Sequence, residues 1–202
     1  MRVVGNIASD SEVVATASGA ITAGKPVVVN ADGTVKFAGP TSTTISAGIG
    51  SEVTFESAEA RPEGGAFDSN SNKVVITYVD SGNSSYGTAI VGTIDDSDNS
   101  ISFGTAVVFN SAGTDQIDST FDSSNNKVVI AYRNYGSGGH GQAIVGTVSG
   151  TSISFGSATS FFSNSNGTSY ISISFDTNVN KVLIAYSDNI KDGYGIAGTV
   201  SG

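Results

Sequence analysis

Side chains able to do acid–base, nucleophilic or metal chemistry are scarce in this chain, and their spacing restricts them further. His140 is the sole histidine and cysteine is absent. A multi-histidine or thiolate metal centre is therefore excluded, and a Ser/His/Asp site would rest on one loop residue. Arginine occupies only positions 2, 61 and 133, which do not recur at equivalent places. Glycosidases and sialidases of the kind built on β-sheets instead combine an arginine cluster with acidic and tyrosine partners. The Ser-x-Asp-x-Gly-x-Thr-Trp turn of sialidases is also missing, because the chain has no Trp. Catalysis, a bound metal and a cofactor are all unexpected.

Two groups of oxygen-bearing side chains remain. Asp68-Ser69-Asn70-Ser71-Asn72 sets oxygens at alternate positions, as the opening of a calcium loop does. Lys73 stands where that loop needs glycine, and no bidentate glutamate follows. The preferred reading is that Asp68, with Asp122 and Asp176 at the same place further on, closes a hairpin as an Asx-turn, its carboxylate bonding to nearby backbone amides. The second group holds the candidate ligand-binding residues: Asp80, Asn83 and Tyr86, then Asn134, Tyr135 and His140, then Asp188, Asp192 and Tyr194. An Asp or Asn repeatedly paired with an aromatic ring suits a sugar, whose hydroxyls take hydrogen bonds while the ring covers an apolar face. The alternative is that the tyrosines pack on a sheet edge and the polar residues solvate a loop.

Whatever these loops bind, recurring elements must hold them. Residues 67–78 return as 121–132 and again as 175–186, each step being 54 residues. The register then aligns Asp80, Asn134 and Asp188, also Tyr86, His140 and Tyr194, and also Gly87, Gly141 and Gly195. Each repeat reads as four strands. Residues 169–175 alternate polar and apolar, with Ile171, Ile173 and Phe175 on one face. An Asx-rich turn leads to residues 127–132 in the equivalent place, a short apolar run rich in β-branched residues that suits a strand covered on both faces. The third strand, residues 142–148, follows a Gly-rich loop, and Ser149-Gly150 turns it into a fourth at residues 152–155.

The fold class expected is all-β: a β-propeller-like array of four-stranded antiparallel blades, about three of them, over residues 51–202. A solenoid or β-prism is the competing architecture. Gly50-Ser51-Glu52-Val53-Thr54-Phe55 resembles Gly150-Thr151-Ser152-Ile153-Ser154-Phe155, so it reads as a fourth strand without its first three, complementing a last repeat that lacks its fourth. Closed propellers typically need about four to eight blades. Self-association is therefore expected, most simply a dimer completing a six-bladed ring, with an arched unit inside a larger particle as the other possibility. Residues 1–50 form a separate small β module, with three short strands and turns at Ala23-Gly24 and Asp32-Gly33. So short a piece holds little core alone and suits attachment to a partner.

Composition narrows the setting. Gly, Ser, Thr and Asn are abundant, Lys plus Arg number 9, and the net charge is −9. That field repels nucleic-acid phosphates, so nucleic acid is not an expected partner. No run approaches the roughly 20 apolar residues of a membrane span, and residues 1–7 lack a signal-peptide core. Synthesis in the cytoplasm without membrane insertion is expected. The pattern Phe-Asp-Ser-x-x-Asn-Lys-Val-Val-Ile-x-Tyr at 121–132, with Gly-x-Ala-Ile-Val-Gly-Thr-Val at 141–148 and Ser-Ile-Ser-Phe-Gly at 152–156, resembles repeats in tail-fibre-like and other virion structural proteins of marine bacteriophages, including phages of cyanobacteria. Ala20-Ile21-Thr22-Ala23-Gly24-Lys25-Pro26-Val27 with Asp32-Gly33-Thr34-Val35 is similar to small β modules of phage capsid-decoration and tail proteins. The resemblance implies a virion structural protein on the particle surface, as tail fibre or capsid decoration. Its N-terminal module would bind other virion proteins and its loops would face host surface glycans. A soluble lectin-like module outside any virion is the alternative.

Overall fold

The computed structural model describes residues 2–3, 13–14, 16–21, 27–37, 50–164, 167–188, 190 and 192–200. The chain divides into two compact units, Met1–Gly48 and Ile49–Gly202. The first holds β1 (Arg2–Val3) antiparallel to β2 (Val13–Val14), and β3 (Val27–Val29) antiparallel to β4 (Val35–Phe37). Asp32 sets the β3–β4 turn by accepting hydrogen bonds from the Thr34 amide at 2.9 Å and hydroxyl at 2.6 Å. Val35 is buried there and bridges Ala17. The turn expected at Ala23-Gly24 lies outside the described residues.

The second unit is all-β and its sheets are antiparallel. Its strands are β5 (Ala60–Asp68), β6 (Lys73–Asp80), β7 (Tyr86–Ile94), β8 (Ile101–Phe103), β9 (Val107–Asp122), β10 (Lys127–Asn134), β11 (His140–Ser149), β12 (Ser152–Phe155), β13 (Thr159–Phe162), β14 (Thr168–Asp176), β15 (Lys181–Asp188) and β16 (Gly193–Gly198). They form three leaves. The first runs β5-β6-β7-β8, the second β9-β10-β11-β12 and the third β14-β15-β16. Strand β9 belongs to two leaves: residues 107–113 pair with β7, and residues 114–122 pair with β10. In the second leaf, β13 lies along β11 as residues 107–110 lie along β7.

Alternation along β10 shows why the leaves stack. Val128, Ile130 and Tyr132 join Val75, Val79, Ala89 and Val91 of the first leaf in one core. Val129 and Ala131, pointing the other way, join Ile173, Val182 and Ile184 of the third leaf in another. A strand this apolar on both faces is stable only between two neighbours, each buried Val or Ile contributing about 1.5–3 kcal/mol. An aromatic pair marks each leaf: Phe55 lies 5.2 Å from Tyr78, Phe109 lies 5.1 Å from Tyr132, and Phe161 lies 5.1 Å from Tyr186, between ring centroids.

Turn chemistry recurs with the repeat. Asp68 Oδ1 accepts from the amides of Asn70 and Ser71, and Asp122 and Asp176 accept likewise from their own turns, which is the Asx-turn expected. Asn72, Asn126 and Asn180 close these turns at φ 55, 55 and 54°, the left-handed region that Asn tolerates better than most residues. Bulges interrupt the first strand of each leaf beside Pro62, Gln116 and Tyr170. The amides they displace are met across the stack, since Glu63 accepts from Ile117 N at 2.8 Å and Gln116 from Tyr170 N at 2.7 Å.

The packing corrects one expectation. Residues 50–55 are not a fourth strand but the counterpart of residues 104–109, for Phe55 packs on Tyr78 and Phe103 as Phe109 packs on Tyr132 and Phe155. A Cβ on Gly50 would sit 2.0 Å from the Asn99 carbonyl oxygen, and one on Gly104 would sit 1.8 Å from that of Thr151, so both glycines pass equally close to a hairpin tip. The misreading has a simple cause. A β-branched residue two before Phe occurs twice in each connection between leaves, at Ile101 and Phe103 and again at Val107 and Phe109, then at Ile153 and Phe155 and again at Thr159 and Phe161, and short-range similarity does not separate the two.

The third leaf has three strands among the described residues rather than four. Where Ile153 and Phe155 of β12 fill the first interface, the second retains an apolar cleft of about 290 Å³ lined by Val129, Val145, Phe161, Val182 and Ile196.

The buried tyrosines give a test. Burial, helped at Tyr78 by the negative charges of Glu56 and Asp80, pushes the Tyr78 hydroxyl from 10.0 to about 12, and burial alone pushes Tyr132 equally far. Folding therefore favours the protonated phenols, a stabilisation complete below pH 10 and lost as pH rises towards about 12. In an alkaline titration, phenolate absorbance from these residues is expected to appear together with loss of the β-sheet circular dichroism signal. Ionisation preceding unfolding would contradict the burial.

Candidate functional site

The loops joining the second and third strands of each leaf carry the candidate residues, and the structure shows what each does. Asp80 is buried, and its Oδ1 accepts from the Asn83 amide at 3.0 Å, capping a single 3₁₀ turn over Ser81–Asn83. Asn134 does the same for Tyr135–Ser137, accepting from Gly136 N at 2.8 Å while its Nδ2 donates to Gln142 Oε1 at 2.9 Å. Asp188 accepts from the amides of Ile190 and Asp192 at 3.2 and 3.1 Å. These three side chains thus brace their loops from below, each through an oxygen that accepts from backbone amides.

The aromatic members are less regular than the sequence register implies. Tyr86 pairs with Asp80 and His140 with Asn134, in matching places. Tyr194 does not follow them: it pairs with Tyr186, as Thr88 pairs with Tyr78 and Gln142 with Tyr132. The third loop is two residues shorter, so Asp192, not Tyr194, meets Asp188 through its carbonyl. By the same shift Gly193, not Gly195, is the counterpart of Gly87 and Gly141. Tyr194 instead stacks on Tyr186 with centroids 5.4 Å apart and planes at 24°, its hydroxyl 3.5 Å from Asp188 Oδ2.

Sequence reasoning missed the best-built polar cluster. Arg133 donates from Nε and Nη2 to the two carboxylate oxygens of Asp115, both at 2.6 Å, in a bidentate fork. Nη2 also reaches the Tyr135 hydroxyl at 2.6 Å, Tyr135 donates to Asp115 Oδ2 at 3.0 Å, and Nη1 donates to Ser169 Oγ at 3.3 Å. The hydrogen bond to Asp115 raises the Arg133 pKa, and burial followed by Asp115 raises that of Tyr135. The guanidinium is thereby committed to protein partners, while the Tyr135 ring stays 54% exposed. Val79, Arg133 and Ser187 hold the same ladder position facing Arg61, Asp115 and Ser169, so the residue pair differs in every leaf and no repeated spacing points to it.

The site is therefore a fixed aromatic face beside saturated polar groups, able to cover an apolar patch of a ligand but offering no paired acid and base. Among the described residues no three His, Cys, Asp or Glu side chains come together as a metal site. No family model matches this chain, and neither a curated protein nor a solved structure is significantly similar to it.

Two outcomes follow from this chemistry. Asp115→Asn or Arg133→Met leaves a half-buried partner unsatisfied and should each lower the unfolding free energy by about 1–3 kcal/mol, while the double variant loses less than the sum, as read from urea denaturation. At Asp122, burial pushes the carboxyl up, but hydrogen bonds from Ser124 and Asn125 outweigh it and hold the group below 3.8. That stabilisation is present above the unfolded value and lost as pH falls through the lower folded one. Urea midpoints should drop below about pH 4, and Asp122→Asn should flatten that acid limb.

Proposed function

We propose that this protein is a structural component of a bacteriophage particle, exposed on its surface, whose rim loops contact the host. In this reading the three leaves are propeller-like blades, the first unit docks onto other virion proteins, and the second presents its loops outward. The observation that carries the reading is the construction of the second loop. Its backbone is capped by Asn134 and its exposed tyrosine is pinned through the hydroxyl by Arg133 and Asp115. An aromatic ring held so firmly loses little freedom on meeting a ligand, which is how a surface gains affinity without deep pockets. One such contact is weak, but many copies on one particle convert weak contacts into avidity.

Host surface glycans are the ligand class that suits a fixed, exposed ring able to cover an apolar sugar face. The acidic surface, net charge −9, favours neutral over anionic sugars. A lectin-like protein outside any virion would use the same loop, so the particle must be examined as well as the binding.

The test has two arms. The chain displayed multivalently on beads should bind a glycan array or host cells, and Tyr135→Ala should weaken each contact by about 1–2 kcal/mol, abolishing binding at low valency without changing the fold. Electron cryo-microscopy of purified particles should find the chain on their exterior. Absence of binding at every valency would remove the attachment role, and absence from the particle would favour the free lectin.

A further inference from the structure

Every interface inside the stack joins two different faces. One face carries Val75 in the first leaf and Val129 in the second, both buried. The opposing face of the second leaf carries Val128, with Phe121 and Val148 packed against the same core as Val75. Both kinds of face recur, uncovered, at the ends. On the third leaf Leu183 holds the position of Val75 and Val129, pairing with Ala197 as they pair with Val91 and Val145, yet it is 50% exposed. On the first leaf Phe67 and Ile94 hold the positions of Phe121 and Val148, yet they are 54% and 51% exposed. With Val74 they rim a recess of about 210 Å³. Exposed apolar faces of this kind mark surfaces that other protein covers.

The backbone repeats the message. Strand β7 is edged by β9, with Ala89 opposite Val107 and Thr88 opposite Val108, and Gly104 N donates to Val91 O at 2.8 Å. Strand β11 is edged by β13, with Ala143 opposite Thr159 and Gln142 opposite Ser160, and Gly156 N donates to Val145 O at 3.0 Å. Strand β16, their counterpart, has no strand on that edge among the described residues. Residues 50–55, the counterparts of 104–109, lie in front of the first leaf in no ladder, and residues 51–54 are exposed.

We propose that these ends are the two halves of one interface, and that a second copy of this chain seats its first leaf on the third leaf of its neighbour, head to tail. The internal interfaces set the register: Val53 of one copy lies opposite Gly195 of the other, Thr54 opposite Tyr194, and the Gly50 amide donates to the Ala197 carbonyl. Leu183 enters the recess between Phe67 and Ile94. The occupant is another copy because each contact required is one the chain already makes twice within itself. The strand addition caps the β16 edge, and the face contact continues the stack. A head-to-tail contact closes into a ring or grows as a series. This inference stands apart from the attachment role and survives if Tyr135 binds nothing.

Light scattering on the full chain, run through size exclusion at several concentrations, should give an oligomer: a dimer if the stack closes, a concentration-dependent series if it does not. Leu183→Glu and Phe67→Glu should each give a monomer with unchanged circular dichroism, both side chains being exposed within one copy. Mixed in equal amounts, the two variants should form a species of twice the monomer mass, because each retains the face the other has lost. In this cysteine-free chain, Val53→Cys with Gly195→Cys should join copies covalently on mild oxidation. The proposal is overturned by a wild-type monomer at every concentration, by loss of assembly in only one of the two glutamate variants, or by a mixture that stays monomeric. An oligomer that the cysteine pair does not cross-link overturns the register.

Discussion

A sheet apolar on both faces is stable only between two others, and the architecture of the second unit follows from that constraint. Along β10 the residues facing the first leaf are Val128, Ile130 and Tyr132, and those facing the third are Val129 and Ala131. No isolated four-stranded sheet could expose either set to water without losing several kcal/mol of burial. Strand β9 is the covalent expression of the same constraint. It leaves the edge of one leaf and becomes the first strand of the next, so adjacent faces are tethered before they pack. The aromatic pairs then sit where each connecting segment enters its leaf, with Phe109 and Phe161 carried by the incoming segment and Tyr132 and Tyr186 by the second strand.

Polar groups follow the same translation. A bulged strand strips amides of ladder partners, and a buried amide left unpaired costs about 1–3 kcal/mol. Glu63 supplies Ile117 N, Gln116 supplies Tyr170 N, and Asp118 supplies Ile173 N. Each leaf thus completes the hydrogen bonding of the next. Apolar faces give the stack its stability, and these carboxylates and amides give it register, because a slip of one residue would strand both donor and acceptor.

Much of this was legible in the sequence where the signal is local and periodic. The Asx-turns at Asp68, Asp122 and Asp176 follow from turn chemistry alone, and the doubly buried strand follows from a short apolar run rich in β-branched residues at 127–132. What escaped was set by geometry across leaves. The role of residues 50–55 depends on which tyrosine Phe55 meets, and a two-residue difference in the third loop moves Tyr194 away from Tyr86 and His140 although the numbering keeps step. The Arg133 and Asp115 fork was hidden because the two residues are brought together by strand pairing, not by spacing.

The contrast between Val79, Arg133 and Ser187 suggests how such an array divides its labour. At one ladder position the first leaf keeps an apolar side chain inside the core, the second converts it to a buried-rim ion pair, and the third carries a small hydroxyl. The position lies near the end of the strand, next to the loop, so Arg133 can reach both Asp115 and Tyr135 there, whereas Val79 is fully enclosed in the core. Val75 and Val129, four residues earlier on the same strands, are likewise enclosed by the next leaf. A repeat protein built this way can change what its loops present without disturbing the faces on which its leaves, or further copies of them, depend.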